Sequence, residues 1–270
     1  MRHCGAIEQE DGSLSHYHTV EIADLRLNEQ RDYLRRLMEE NTAYHKPPSK
    51  QRIALRVEYD TGLFAFIKDA YVNLADRKKF SAEAPPGLWL SGATGALRTR
   101  DGILAVYDDR LRGFKPVPMG WADFEDGPDL LATVRRECAE EVIVFSMDRE
   151  YQYVPGGVSA APGVPCLAIN SLDKLKVWGD FRFLRYNTKT ANGERVLVAH
   201  FGWELRGLPE KITVVYDDKW HQGGYFGAPV VVLDPGNGHM VGYYSGQQGF
   251  VRLDACSLDE DLALILRTTA

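Results

Sequence analysis

Apolar and polar residues follow two repeating patterns along this chain, and each pattern predicts a different kind of element. Alternation, or a short β-branched run, is typical of strands, and we expect strands over residues 51–59, 64–67, 181–186, 195–205, 212–216 and 230–233. Spacings of three and four residues are typical of helices, and they predict helices over residues 27–45, 129–145 and 258–267. This mixture indicates an α/β fold with a mixed sheet flanked by helices.

Two turn signals connect neighbouring predicted strands. Asn192-Gly193 separates two alternating runs and is the dipeptide that tight hairpins prefer. Asp101-Gly102 stands between residues 95–100 and 103–107 and predicts a second hairpin in the same way.

The helix predicted over residues 129–145 has the most complete pattern. It contains no Gly or Pro, and Gly127-Pro128-Asp129 predicts its start, because Pro suits the first turn and Asp can cap free N–H groups. We expect Cys138 in the core, since it lies on the apolar stripe. That stripe consists of Leu131, Val134, Cys138, Val142 and Phe145.

Beside the stripe, the same helix carries the segment R-E-C-A-E-E, residues 136–141. At about 100° per residue, Glu137, Glu140 and Glu141 share one face, and Arg136 is four residues before Glu140, close enough to pair with it. Clustered carboxylates repel one another, and the dipole disfavours them in the C-terminal half of a helix. A hard divalent cation would resolve this, because Mg²⁺ and Mn²⁺ prefer carboxylate oxygens. A solvated charged face is the alternative.

The segment resembles the signature of the Nudix hydrolases, G-x5-E-x7-R-E-U-x-E-E-x-G-U, in which U is a bulky apolar residue. Residues 136–141 match its central R-E-U-x-E-E, with Cys138 in the apolar position. Residues 115–121 (KPVPMGW) are similar to the family's approach to the motif, and a hairpin, a loop and then this helix is the family's usual order.

The chain departs from this signature at three positions. Ala122 stands where the family has its first Gly, Pro128 where it has an upstream Glu, and Ile143 where it has a second Gly. Gly120 and Glu125 could replace the first Gly and the upstream Glu only if the loop is longer here than in the signature. Because Gly commonly ends a helix in a left-handed cap, Ile143 predicts that this helix continues beyond the glutamates.

The resemblance implies an α/β/α sandwich and a metal-dependent hydrolase that cleaves a diphosphate linkage in a nucleoside diphosphate-linked compound. Glu137, Glu140 and Glu141 would hold Mg²⁺ or Mn²⁺, and Arg136 would orient these carboxylates. Arg136, Glu140 and Glu141 are the predicted catalytic set. A metal-activated water would attack a phosphorus, and one of the glutamates, or a distant acid such as Glu204, would accept its proton.

Two other functions stay open. Pro128 and Ile143 motivate a Nudix-like module that binds a nucleotide, or regulates, without cleaving. An isomerase of the isopentenyl-diphosphate type would need a catalytic cysteine, and the cysteine near the motif is Cys138, on the core-facing stripe.

The composition of the chain limits which partners and which cellular location we expect. A net charge of −6 over 270 residues argues against nucleic acid as the main partner, whereas a small nucleotide or diphosphate substrate fits through a bridging metal. Four cysteines without C-x-x-C spacing disfavour a zinc site and a disulfide scaffold. No apolar stretch is long enough to span a membrane and no signal peptide is evident, so we expect no membrane partner and a cytoplasmic location.

Pro85-Pro86-Gly87 marks a plausible domain boundary. We expect residues 1–85 to form an N-terminal extension or small subdomain, and residues 86–270 to form the Nudix-like domain. Three roles of the extension stay open: covering the site, contacting a second subunit in a homodimer, or completing the core.

Overall fold

The computed structural model describes residues 7–8, 14–15, 18–43, 51–60, 63–99, 102–108, 113–146, 152–153, 166–167, 179–205, 212–216, 230–233, 240–245, 249–251 and 258–269. Side chains are described at fewer positions, which do not include Glu140, Glu141 and Glu204. Over these residues the fold is mixed α/β, with a mixed sheet and few helices. Among the helices described, none is long and apolar enough to cross a membrane.

The helices follow the periodic segments of the sequence. They are α1 (Asn28–Ala43), α2 (Arg77–Glu83), α3 (Leu130–Glu141) and α4 (Glu260–Thr269). Short 3-10 turns occupy Ile22–Asp24, Leu74–Asp76 and Phe124–Asp126. The helices predicted over residues 27–45 and 258–267 are therefore confirmed within a few residues at their ends.

Every segment that the sequence predicts as a strand overlaps an observed strand, and further strands form where none was predicted. They are β1 (Ile7–Glu8), β2 (Leu14–Ser15), β3 (His18–Val20), β4 (Arg52–Asp60), β5 (Leu63–Asn73), β6 (Leu88–Thr99), β7 (Gly102–Asp108), β8 (Gly113–Pro116), β9 (Met119–Trp121), β10 (Val142–Ser146), β11 (Gln152–Tyr153), β12 (Cys166–Leu167), β13 (Gly179–Ala191), β14 (Glu194–Leu205), β15 (Ile212–Tyr216), β16 (Val230–Leu233), β17 (Met240–Ser245) and β18 (Gly249–Val251).

The chain divides into two compact units. Unit 1 comprises Met1–Ala93, Gly120–Thr133 and Arg185–Ala199, and unit 2 comprises Thr94–Met119, Val134–Leu184 and His200–Ala270. The division into residues 1–85 and 86–270 stays a prediction, which separate expression of residues 86–270 would test.

Unit 1 is built on strands that hydrogen-bond in the order β3-β5-β4-β6. Strand β3 is parallel to β5, whereas β4 is antiparallel to both β5 and β6. Leu55 of β4 faces Leu90 of β6 in this register, and both are completely buried. Helices α1 and α2 contribute Leu34 and Phe80 to the same apolar cluster. The parallel pair makes the sheet mixed, as the sequence predicts.

Unit 2 contains the predicted hairpin of β6 and β7. Arg98 pairs with Ile103 and Thr99 with Gly102, so the two strands connect through residues 100–101, which lie outside the described residues. The hairpin is confirmed, but Gly102 already belongs to the second strand. Strand β7 continues the antiparallel order through β16 and β17 to β18, and it also pairs with β8.

Helices α3 and α4 contact opposite faces of β6 in unit 2. A Cβ added at Gly95 would lie 2.9 Å from Pro118 Cδ and 3.2 Å from Val134 Cγ2 of α3. The next residue, Ala96, belongs to the apolar cluster that includes Leu262 and Ile265 of α4. Successive residues of a strand point to opposite faces. One helix therefore lies on each side of this strand.

The Asn192-Gly193 hairpin forms as the sequence predicts. Asn192 has φ 53° and Gly193 has φ 78°, the left-handed pair that tight two-residue hairpins require. These residues connect β13 to β14, and the two strands pair with each other.

Helix α3 ends earlier than its apolar stripe predicts. It stops at Glu141, and Val142–Ser146 form β10, antiparallel to β15 with Val142 opposite Tyr216. The prediction of a helix over residues 129–145, continuing past Ile143, is therefore wrong for its last four residues. Their Val-Ile-Val-Phe run has high strand propensity, and pairing with a distant strand outweighs the helical stripe.

A buried histidine–aspartate pair connects β14 to α4. His200 Nε2 lies 2.9 Å from Asp261 Oδ1, and the two side chains are 0% and 1% exposed. Asp259 caps α4 just before Asp261 and accepts from the Asp261 N–H at 2.8 Å. A buried polar group without a partner is costly, so each member of this pair secures the burial of the other.

We predict that Asp261→Ala lowers the free energy of unfolding by about 1–3 kcal/mol, because it leaves the buried His200 Nε2 without its acceptor. Asp261→Asn keeps a carbonyl oxygen for that bond and should cost less. Glu260→Ala is the matched control, since Glu260 is exposed and precedes Asp261 in the same first turn. Urea unfolding measures all three, and equal losses for Glu260→Ala and Asp261→Ala would show a helix-dipole effect instead.

Candidate metal centre

The start of α3 is fixed by a series of capping hydrogen bonds. Asp123 and Asp126 form a capping box around the Phe124–Asp126 turn, and Asp126 Oδ2 also accepts from the Thr133 hydroxyl at 2.9 Å. Asp129 Oδ1 then accepts from the Leu131 N–H at 2.8 Å. The predicted cap at Asp129 is confirmed, and the segment leading into the helix is held by its own side chains.

Arg56 of β4 holds the residue just before this cap. Its Nη2 donates to the Pro128 carbonyl oxygen at 2.6 Å, and the side chain is 2% exposed. The guanidinium carbon lies 5.9 Å from the centre of the Phe66 ring, within cation–π range. Burial raises the pKa of the nearby Tyr186, and the charges of Arg56 and Asp129 shift that pKa in opposite directions.

The apolar stripe of α3 is buried as predicted. Leu131, Val134 and Cys138 are 8%, 0% and 1% exposed. Cys138 is a buried free thiol, so its expected place in the core is confirmed. Close packing of Val134 against Gly95 limits how the helix can rotate about its axis.

Glu137 is buried rather than exposed beside the stripe. Its side chain is 8% exposed, and its Oε1 accepts from Arg136 Nη1 at 2.6 Å. Arg136 is 22% exposed, so this ion pair lies at the edge of the buried region. Because a buried carboxylate is costly without a counter-charge, the arginine stabilises Glu137 at this position.

The remaining predicted site residues are described by their backbone only. Glu140 and Glu141 lie in the last turn of α3, and Glu204 lies near the end of β14, but their side chains are outside the described ones. Within the described side chains, no group of three or more His, Cys, Asp or Glu residues could hold a metal. The roles of Arg136, Glu137, Glu140 and Glu141, and the pairing of Arg136 with Glu140, stay predictions.

Among the described side chains of this site, that of Glu137 has the chemistry that suits a hard cation. Glu137 offers carboxylate oxygens, the donors that Mg²⁺ and Mn²⁺ prefer, and its Oε1 accepts from Arg136. This ion pair can orient that oxygen.

Sequence reasoning missed the burial of Arg56. In the alternating segment of β4, Arg56 and Arg52 fall on the same face of the strand. The alternation predicts that this face is exposed to solvent. The structure instead covers Arg56 with Phe66 and Pro128. These contacts join residues far apart in the sequence, and local spacing contains no signal of them.

Comparisons with known proteins leave the family open. No model of a known family matches the chain, and no curated protein sequence matches it significantly. Among solved structures, a MutT/nudix family protein from Enterococcus faecalis is similar at 10% identity and a TM-score of 0.33, with 73% of each chain covered. At that TM-score the likeness carries no argument about fold or function.

We predict energetic coupling between Arg136 and Glu137. Arg136→Met should lower the free energy of unfolding by about 1–3 kcal/mol, because Glu137 loses a charged partner at a buried position. The double variant Arg136→Met/Glu137→Gln should lose less than the sum of the two single variants, since it removes both charges. Chemical denaturation of the four proteins measures this, and strictly additive losses would contradict the coupling.

Proposed function

We propose that this chain is a metal-dependent hydrolase of the Nudix type, which cleaves a diphosphate linkage in a nucleoside diphosphate-linked compound. The observation that carries the proposal is the R-E-C-A-E-E segment on α3, with Glu137 buried and ion-paired to Arg136. Burying a carboxylate is costly, and a ligand that the carboxylate binds can offset that cost.

The arrangement of helices supports the proposed α/β/α sandwich. Gly95 and Ala96 of β6 face α3 and α4, respectively. Helices on both faces of a mixed sheet give this layer order. Residues 1–85 would form the N-terminal extension of this sandwich, and a homodimer through them stays part of the proposal.

In this proposal Glu137, Glu140 and Glu141 hold Mg²⁺ or Mn²⁺. Such an ion, when bound, neutralises phosphate charge and makes a water nucleophilic near neutral pH. Arg136 gives the Glu137 carboxylate a counter-charge and orients it through its contact at 2.6 Å. One of these three glutamates, or the more distant Glu204, accepts the proton of the attacking water. The partner is a small nucleotide or diphosphate, and we expect it in the cytoplasm.

Two observations favour a second candidate, a Nudix-like module that binds without cleaving. Pro128 offers no carboxylate, and its carbonyl is already held by Arg56. Ile143 lies in β10 instead of following the helix as a glycine cap. An isomerase of the isopentenyl-diphosphate type is less favoured, because its candidate cysteine, Cys138, is 1% exposed and packs in the core.

The decisive variant is Glu141→Gln, which removes a carboxylate charge while preserving size and helix propensity. We expect hydrolysis to fall about 100-fold or more, the scale on which metal-site changes act, with the fold intact by circular dichroism. The measurement is release of phosphate or nucleoside monophosphate from a panel of diphosphate compounds with Mg²⁺ and with Mn²⁺.

Glu260→Gln is the matched control, because Glu260 is exposed and belongs to a different helix, α4. It should keep full activity. Full activity of Glu141→Gln would refute the assignment. Nucleotide binding without phosphate release from any compound, with either metal, would favour the binding module.

A further inference from the structure

The segment that follows α3 has two structural preferences at once. Val142 and Phe145 continue the helical spacing of Val134 and Cys138, which are 0% and 1% exposed. In a longer helix they would therefore extend the buried stripe. The same run, Val-Ile-Val-Phe, consists of residues that are enriched in strands. The structure shows these residues in β10, so the strand preference prevails there.

The sequence of this segment contains no signal that would end a helix. Residues 142–146 include no Gly, Pro or Asn, the residues that commonly stop one. Ile143 is β-branched, and the left-handed conformation of a helix cap is costly for such a residue. Helix α3 therefore ends at Glu141 because the next residues pair as a strand, and not because of a local stop.

The pairing that ends the helix is small. Strands β10 and β15 form a two-stranded sheet, from Val142 opposite Tyr216 to Ser146 opposite Ile212. Over the described residues, neither strand joins a third one. Two strands alone are marginally stable in water, and this pairing also closes the long chain segment between Ser146 and Ile212, which costs conformational entropy.

A helical arrangement of the same residues needs no such closure. Each N–H of residues 142–145 would bond to the carbonyl four residues before it, within a helix that is already formed. Extending an existing helix also avoids the cost of nucleating a new one. The local arrangement thus competes directly with the long-range pairing.

We infer that residues 142–146 are a helix–strand switch. The strand form is the one in the structure. In the other form, α3 continues through Phe145 and Ile212–Tyr216 lose their partner strand. Because each form satisfies one preference of the same residues, a small change in propensity or in binding shifts the population between them.

The switch changes where α3 ends relative to its glutamates. In the strand form, Glu140 and Glu141 belong to the last turn, where carbonyls without helical partners carry the negative end of the helix dipole. In the helical form that end lies four residues further on, about 6 Å along the axis. A divalent cation bound by the glutamates therefore favours the strand form. This regulatory role rests on the proposed function, whereas the switch itself does not.

The test compares two double variants of the full-length protein at positions outside the apolar stripe. Ile143→Ala/Val144→Ala raises helix propensity and lowers strand propensity. Ile143→Thr/Val144→Thr is the matched control, because it keeps β-branched residues at both positions. The measurements are the backbone chemical shifts of residues 142–146 by nuclear magnetic resonance and the hydrogen exchange of the amides of residues 212–216, both without metal.

We expect the alanine variant to move the shifts of residues 142–145 from strand values to helix values. Exchange of the amides of residues 212–216 should become about tenfold faster or more, since their partner strand is lost. The threonine variant should match wild type in both measurements.

Strand shifts that stay the same in the alanine variant, or shifts that become those of an unstructured chain, would overturn the switch. A threonine variant as helical as the alanine variant would overturn it too, because propensity would then not decide the form. Should the double alanine variant fail to fold, Ile143→Ala alone decides by the same comparison with Ile143→Thr.

Titration of the same proteins with Mg²⁺ tests the regulatory role. Mg²⁺ should return the alanine variant toward strand shifts, and it should bind this variant about threefold more weakly than wild type, the size of a helix-dipole contribution. Helix shifts that do not respond when Mg²⁺ binds would overturn the regulatory role. A wild-type protein that binds no Mg²⁺ would count against the proposed function, and the metal-free shifts would still decide the switch.

Discussion

The burial of the Glu137 carboxylate is the constraint on which the candidate site depends. An ionised carboxylate loses its hydration when it is covered by protein. An opposite charge and hydrogen bonds must compensate for the lost hydration free energy. Arg136 does so at 2.6 Å, from the preceding residue of the same helix. The arginine side chain is 22% exposed and that of the glutamate 8%. The opposite charge is therefore supplied at the edge of the buried region.

The Arg136–Glu137 ion pair keeps its place only if α3 does not rotate about its axis. Val134 packs against the bare backbone of Gly95, where a Cβ would lie only 3.2 Å from its methyl group. Leu131 and Cys138 bury the adjoining turns of the same stripe. The capping box before the helix and the Arg56 bond to Pro128 hold its beginning. Apolar contacts along the stripe thus oppose rotation of α3 about its axis. Polar contacts at the start of α3 oppose tilting.

The features of this structure that could be predicted are those that depend on residues close together in the sequence. The Asn192-Gly193 turn follows from two residues that tolerate positive φ, and the Asp129 cap follows from one side chain and one free N–H. The end of α3 could not be predicted, because residues 142–145 satisfy a helical stripe and a strand preference equally well. Only Ile212–Tyr216, which pairs with them from far along the chain, decides between the two. The burial of Arg56 likewise depends on partners remote in sequence.

The change from helix to strand at Glu141 also bears on where a cation would be favoured. The last four carbonyl groups of a helix lack partners within it, and they carry the negative end of the helix dipole. Glu140 and Glu141 belong to this last turn, and Val142 begins a strand in register with Tyr216. The backbone that carries these two glutamates is therefore fixed on both sides, by the packed helix before it and by the paired strand after it. Negative potential from the carbonyls adds to that of the side-chain charges at this end, and a divalent cation is the partner that would relieve both.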